Sequence, residues 1–281
     1  MIPNIVHFVF GLAPDFGGKP FSLVHYLAIR SAIMVNKPDK VFFHYEFEPQ
    51  GIWWEKIKPS LTLNQIKAPS SIFGNPLLHM AHQSDVVDLQ VLDEMGGVYL
   101  DIDTICVKPY HNFLHREVVM GCEHRKPVFY DSTDKMRYRL KKTFFAPFTR
   151  IDKPGIKGLS SAVIFARPRS KFISLWLDSY KTFRSKAMFD PYWSEHSVSI
   201  PWRLAKEHPD LLTIANVENF YMPYYDKKGL RLLFEKVTQF PSAYIHHLWE
   251  SISWDRYCAP MTPEYIRSVD TTYNRIARQF L

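Results

Sequence analysis

The chain has 281 residues, 46% hydrophobic and 22% charged, with a formal net charge of +7 and a pI near 9.1. That composition is globular and allows one substantial α/β core with insertions, or two small domains. No run approaches the roughly 20 apolar residues that cross a bilayer, and no nucleic-acid recognition motif accompanies the positive charge.

Strand 2–10 opens the chain and ends in Val9 and Phe10. It leaves no room for a signal peptide or anchor, so a cytoplasmic protein is expected, with anionic membrane surface among the partners its charge favours. The three cysteines, Cys106, Cys122 and Cys258, show no Cys-x-x-Cys spacing and read as free thiols in a reducing compartment. Helix 21–35, strand 40–47, helix 51–58 and strand 60–66 follow. This alternation predicts a mostly parallel sheet with helices on both faces and a ligand crevice at the carboxyl ends of the strands. Phe10 sits at such an end, either stacked on a base or buried as core.

Residues 77–95 fit a helix. At about 100° per residue, Leu77, Leu78, Met80, Ala81, Leu89, Val91, Leu92 and Met95 share one face. His79, His82, Gln83, Gln90, Asp93 and Glu94 fall opposite and read as solvated surface, with no third ligand to make the histidines a metal site. Asp85 and Asp88 lie inside the apolar face. A buried carboxylate needs a partner, so Asp85 is expected to enter a polar pocket beneath the next strand; a breach satisfied by backbone or water is the alternative.

Gly96 and Gly97 end that helix, and strand 97–101 leads into Asp101-Ile102-Asp103. Alternation along an extended strand predicts both carboxylates on one side with Ile102 behind, and Tyr99 is assigned outside their row. Two like charges at a buried strand end repel unless a cation lies between them. Oxygen ligands of this kind suit Mg²⁺, Mn²⁺ or Ca²⁺ better than zinc.

The stretch from His124 to Gly158 is basic, carrying Arg125, Lys126, Lys135, Arg137, Arg139, Lys141, Lys142, Arg150, Lys153 and Lys157. It reads as a solvated face, or as a flap or dock for diphosphate, acidic acceptor or lipid headgroup. Strand 160–167, helix 170–185 and helix 198–208 return to the core, and 262–280 reads as a C-terminal helix. Strand Ala243–Trp249 places His246 and His247 on opposite faces. His247 is the candidate third ligand, with a histidine held under Trp249 as the alternative; an imidazole tilts the choice towards Mn²⁺ over Mg²⁺.

Four blocks resemble a known family: residues 2–11 (IPNIVHFVFG), Ser84-Asp85 through Gly96-Gly97-Val98-Tyr99-Leu100-Asp101-Ile102-Asp103, residues 191–198 (PYWSEHSV) with Pro201 and Ala205, and residues 244–250 (YIHHLWE). In this order they resemble the Asp-x-Asp glycosyltransferases of family 32, relatives of yeast mannosyltransferases, α-1,4 galactosyl- and N-acetylglucosaminyltransferases and bacterial capsule enzymes. The resemblance implies a GT-A fold in one domain, 1–281, with a nucleotide-binding half (1–110) and an acceptor-side half (111–281). It implies retaining transfer of a sugar from a UDP- or GDP-sugar to a glycan or lipid-linked acceptor. Asp103 would hold the metal, and Asp101 would contact ribose, sugar or the metal's water shell. Val9, Phe10, Asp85 and Tyr99 would bind the donor. Glu195 would act as proton acceptor or cation stabiliser, with His196, Ser197 and Trp249 on the acceptor side. Relatives carry arginine where this chain has Asp88, so Asp88 is expected to reset donor contacts, or to mark a binding protein that has lost transfer. Tyr-Leu-Asp-Ile-Asp-Thr also resembles the first motif of haloacid-dehalogenase phosphatases, but their downstream acidic block is absent.

Overall fold

The computed structural model describes residues 1–125, 128–145, 155–188 and 190–281; Lys126, Arg150, Asp152 and Lys153 of the basic stretch lie outside them. Strand β1 (Ile5–Val9) is followed by α1 (Leu23–Asn36), β2 (Lys40–Tyr45), α2 (Ile52–Ile57) and β3 (Thr62–Gln65). A short hairpin, β4 (Ser71–Ile72) with β5 (Asn75–Pro76), precedes α3 (Met80–Met95) and β6 (Gly97–Leu100). Then come β7 (Thr104–Cys106), β8 (Val118–Arg125), α4 (Ser132–Phe145), β9 (Gly155–Ala166) and α5 (Lys171–Ser179). The last third holds α6 (Ile200–Glu207), β10 (Thr213–Ala215), α7 (Val217–Phe220), α8 (Lys227–Phe234), β11 (Ile245–His247), α9 (Glu250–Ser253), α10 (Pro263–Ser268) and α11 (Thr272–Ala277).

Seven strands form one sheet in the order β10-β8-β9-β6-β1-β2-β3. Neighbours pair parallel except β9, which runs antiparallel between β6 and β8. Both ends of the chain share one apolar core, from Val6, Phe8 and Val98 to Ile164, Phe165 and Phe220. This is the mostly parallel α/β architecture expected. The chain leaves β1 through α1 towards β2 on one side, while β6 adds on the other. The order therefore reverses beside β1, where open α/β sheets place their ligand crevice.

Several predicted elements differ from those observed. The proposed C-terminal helix is two helices, because Thr271 caps a new start by accepting from the Asn274 amide at 3.0 Å. Helix 77–95 begins only at Met80, where His79 Nδ1 accepts from the Ala81 amide at 3.1 Å. Its polar side is not all wet: His82 is buried, its Nε2 bonded to the Trp193 carbonyl at 3.1 Å, whereas Leu78 is exposed. Helix 170–185 stops at Ser179 and strand 160–167 extends back to Gly155.

Gly97 has φ +112, and a Cβ there would lie 2.6 Å from Ile5 Cγ1 and 2.7 Å from Ile5 O, so β1 and β6 approach too closely for any side chain. Across the same strands, His7 Nε2 lies 2.9 Å from Gly96 O and His7 Nδ1 3.0 Å from His44 Nε2. His44 Nδ1 in turn lies 2.9 Å from Asn64 Nδ2. Burial pushes His7 down to about 4 and His44 down to about 3, so both rings are neutral.

Candidate active site

Strand β6 ends at Leu100, and Asp101 begins a turn closed by Thr104 N to Asp101 O (3.1 Å) and Thr104 Oγ1 to Asp101 O (2.8 Å). The turn, not extended alternation, brings the two carboxylates together. Antiparallel pairing of β11 with β7 sets His247 opposite Thr104, and Leu248 N donates to Asp103 O at 2.8 Å. Asp101, Asp103 and His247 thus offer ligand atoms within 4.8 Å of one another.

His247 Nε2 lies 3.1 Å from Asp103 Oδ1 and 3.7 Å from Asp101 Oδ2. The Glu250 amide donates to Asp103 Oδ2 at 2.6 Å. Burial alone would raise the Asp103 carboxyl, but the charge and hydrogen bond of His247 and the Glu250 amide outweigh it and hold it below the usual range. Burial likewise opposes the charged form of His247, yet Asp103 and Asp101 raise it above 6.5. Asp101 is pushed up to about 6, by burial first and then by the charge of Asp103. His246 faces away, its Nδ1 2.7 Å from Met222 O and its pKa pushed down to about 4 by burial.

Tyr99 has the same parity as Asp101 and shares its side, contrary to its assignment outside the row. Its hydroxyl donates to Asp101 Oδ1 at 2.8 Å and lies 3.3 Å from Ser84 Oγ. Beneath it, Asp85 accepts from Ser161 Oγ at 3.0 Å and is pushed up to about 7 by burial. Asp88 is 1% exposed, and its Oδ1 has no partner among the described residues. Burial, then the charges of Asp85 and Asp101, raise it well above the ordinary carboxylate value, which favours its neutral form. The Tyr180 hydroxyl is also buried without a partner among the described residues and is raised by burial and by Asp85 and Asp88, which sets it beside this pair. Ser161 and Tyr180 carried no signal in the sequence, lying in an apolar strand and an aromatic-rich helix end.

Val9 is buried; Phe10 is half-buried and stacks on Phe16 at 5.6 Å, with Phe21, His25 and Phe43 also around it. Glu195 accepts a forked pair from Arg184, Nε to Oε2 at 3.0 Å and Nη2 to Oε1 at 2.7 Å, which keeps it ionised. His196 does not face outward: it is 2% exposed, with Nε2 3.1 Å from Ser179 O and its ring against Tyr180 and Phe183. Ser197 is half-buried on the same turn. Trp249 is buried too, donating from Nε1 to Pro223 O at 3.0 Å, and its ring lies 4.2 Å from that of His247.

Two carboxylates and an imidazole are donors a hard divalent ion accepts, so the residues fit a metal. His247 turns Nε2 to the carboxylates, while its buried Nδ1 has no partner among the described residues; Trp249 and Tyr221 orient the ring by packing.

The Asp-x-Asp turn thus sits at the carboxyl end of a parallel strand, beside the point where strand order reverses. Residues 34–120 match the family described as "Glycosyltransferase sugar-binding region containing DXD motif". The whole chain is 34% identical to "Glucan organizing enzyme 1" of Cryptococcus neoformans var. grubii, covering 71% of that protein. The chain belongs to this DXD glycosyltransferase family, and the phosphatase alternative falls away. Solved structures similar to it include mouse xyloside xylosyltransferase 1 (12% identity, 90% of this chain and 99% of that one, TM-score 0.49). The galactosyltransferase LgtC with donor and acceptor sugar analogs is another (12% identity, 98% of this chain and 96% of that one, TM-score 0.47).

Proposed function

We propose that the protein is a metal-dependent transferase that moves a hexose or N-acetylhexosamine from a UDP- or GDP-sugar to a glycan or glycolipid, with retention of configuration. The observation that carries this reading is the convergence of Asp101, Asp103 and His247 within 4.8 Å. Asp103 and His247 would hold Mn²⁺ (or Mg²⁺), and such an ion stabilises charge building on a departing diphosphate. Asp101, fixed by Tyr99, would meet the ribose or sugar. Asp85 and Asp88 would face sugar hydroxyls, and Val9 with Phe10 would border the base. Glu195 and Ser197 would lie towards the acceptor, with His196 and Trp249 supporting from behind. The name of the Cryptococcus relative speaks of glucan, so a polysaccharide acceptor is the first to try.

Slow hydrolysis of a panel of UDP- and GDP-sugars, with Mn²⁺ or with EDTA, tests the proposal without an acceptor. Hydrolysis of one donor, abolished by EDTA and restored by Mn²⁺, is expected; metal-independent turnover would reject it. His247→Gln should raise the Mn²⁺ needed for half-maximal rate by at least about tenfold, and His246→Gln should leave it unchanged. Binding requires a neutral imidazole. Because Asp103 and Asp101 raise His247 above 6.5, Mn²⁺ affinity in the wild type should weaken as pH falls through that raised value. The imidazole's share of this pH dependence should vanish in His247→Gln. Equal effects of the two substitutions would remove His247 from the metal site.

A further inference from the structure

Helix α4 leaves nearly all its described surface in solvent: over 132–143 only Asp134 and Tyr138 are shielded. These two lie on one line of the helix. Asp134 pairs with Lys228 of α8 at 2.7 Å and accepts from Tyr130 N at 3.0 Å, and the Tyr138 ring lies 5.4 Å from that of Phe129. At 100° per residue, Met136 and Leu140 fall about 160° from that line, on the opposite face. They are 56% and 50% exposed. Arg137 and Arg139 flank this apolar stripe at about 80° on either side, with Lys135, Lys141 and Lys142 further round. Asp134 is the one acid of the helix and Lys228 occupies it, so these five cations have no acid on their own helix. None has an ion-pair partner among the described residues. Next to α4, Lys227, Lys228, Arg231, Leu232 and Lys236 line a concavity of about 450 Å³.

A helix this short does not hold together in water on propensity alone and is normally stabilised by burying an apolar face. Here, over 132–143, the apolar pair Met136 and Leu140 points outward between two arginines. An apolar stripe bordered by cations matches the boundary between headgroups and acyl chains. An acidic polysaccharide would use the charges but leave Met136 and Leu140 without a role. We infer that α4, with the lysines of α8 beside it, seats the protein on an anionic bilayer surface. The inference is independent of which donor or metal the active site takes.

The test is co-sedimentation of the full chain with vesicles of phosphatidylcholine alone or of phosphatidylcholine and phosphatidylserine at about three to one. Binding is expected to the mixed vesicles only and should weaken as salt rises. Each cation at such a surface contributes about fivefold, so R137Q/R139Q should lower partitioning about thirtyfold. M136S/L140S should lower it about tenfold or more, with helix content unchanged by circular dichroism. An independent readout comes from Met136→Cys carrying a polarity-sensitive dye. The native Cys106, Cys122 and Cys258 are all buried, so the dye should report position 136, and its emission should shift to the blue on mixed vesicles. Three results would overturn the inference: no binding to mixed vesicles, binding indifferent to M136S/L140S, or a dye that stays in water while the protein is vesicle-bound. Capture by an acidic polysaccharide without vesicle binding would overturn it as well.

Discussion

Asp103→Asn is expected to slow donor hydrolysis roughly 10²–10³-fold, the scale seen when a main charge stabiliser is removed from a preorganised site. The substitution keeps the shape of the side chain. An asparagine carbonyl can still accept from the Glu250 amide, now 2.6 Å from Asp103 Oδ2, so the turn and β11 should stay in place. What is lost is the charge that His247 and the amide hold ionised. The carboxyl is held below its ordinary value, so it stabilises the fold above the unfolded carboxylate pKa, and that stability disappears as pH falls through the lowered folded value. Asp103→Asn should therefore flatten the acid limb of the melting-temperature profile while leaving far-UV circular dichroism unchanged. Calorimetry with Mn²⁺ should show its affinity greatly weakened. Full activity of the variant in EDTA would end the metal assignment.

Asp88→Arg should cost the preferred donor roughly 10²-fold in kcat/KM and reorder the others, since buried polar mismatches of this kind discriminate strongly. Pairing of Asp88 with a cation from the basic stretch is not seen among the described residues; its Oδ1 has no partner there and burial favours the neutral acid. A neutral carboxylic acid can donate as well as accept, which an arginine cannot do and an asparagine can. Asp88→Asn should accordingly keep donor binding within about tenfold, the scale of one net hydrogen bond. It should also raise thermal stability. A carboxyl raised on folding contributes most below its unfolded pKa and loses that contribution as pH climbs, so the gap between Asp88→Asn and wild type should widen as pH rises from the unfolded carboxylate value towards the raised folded one. If wild type is inert towards every donor and Asp88→Arg alone creates activity, the protein binds sugar nucleotides without transferring them.

The acidic pair was legible because two carboxylates after Gly-Gly and an apolar strand are costly without a partner. The means of their meeting was not, since a turn and an extended strand present the same letters. Asp85 and Asp88 were legible as carboxylates on an apolar helical face. Their surroundings were not, because Ser161 comes from β9 and Tyr180 from the turn after α5, contacts that local periodicity does not encode. Strand β9 looked shorter than it is because its first residues, Gly155 to Gly158, include a lysine and two glycines. Over 132–143, helix α4 shields only Asp134 and Tyr138, so the repeating apolar pattern that marks core-facing helices was missing there.

The line from Asn64 to Gly96 has a direction. The Asn64 amide nitrogen can only donate, so His44 Nδ1 must accept and its Nε2 must carry hydrogen. His7 Nδ1 then accepts, and His7 Nε2 donates to the Gly96 carbonyl. Two imidazoles, each able to take either tautomer, are locked into one by an amide on the third strand away from the Gly96 turn. An aspartate at 64 would have no hydrogen to give in its charged form, and the line could close only by storing an extra proton. The peptide before the Asp-x-Asp turn is thereby sensitive to the identity of a residue on the sheet's edge.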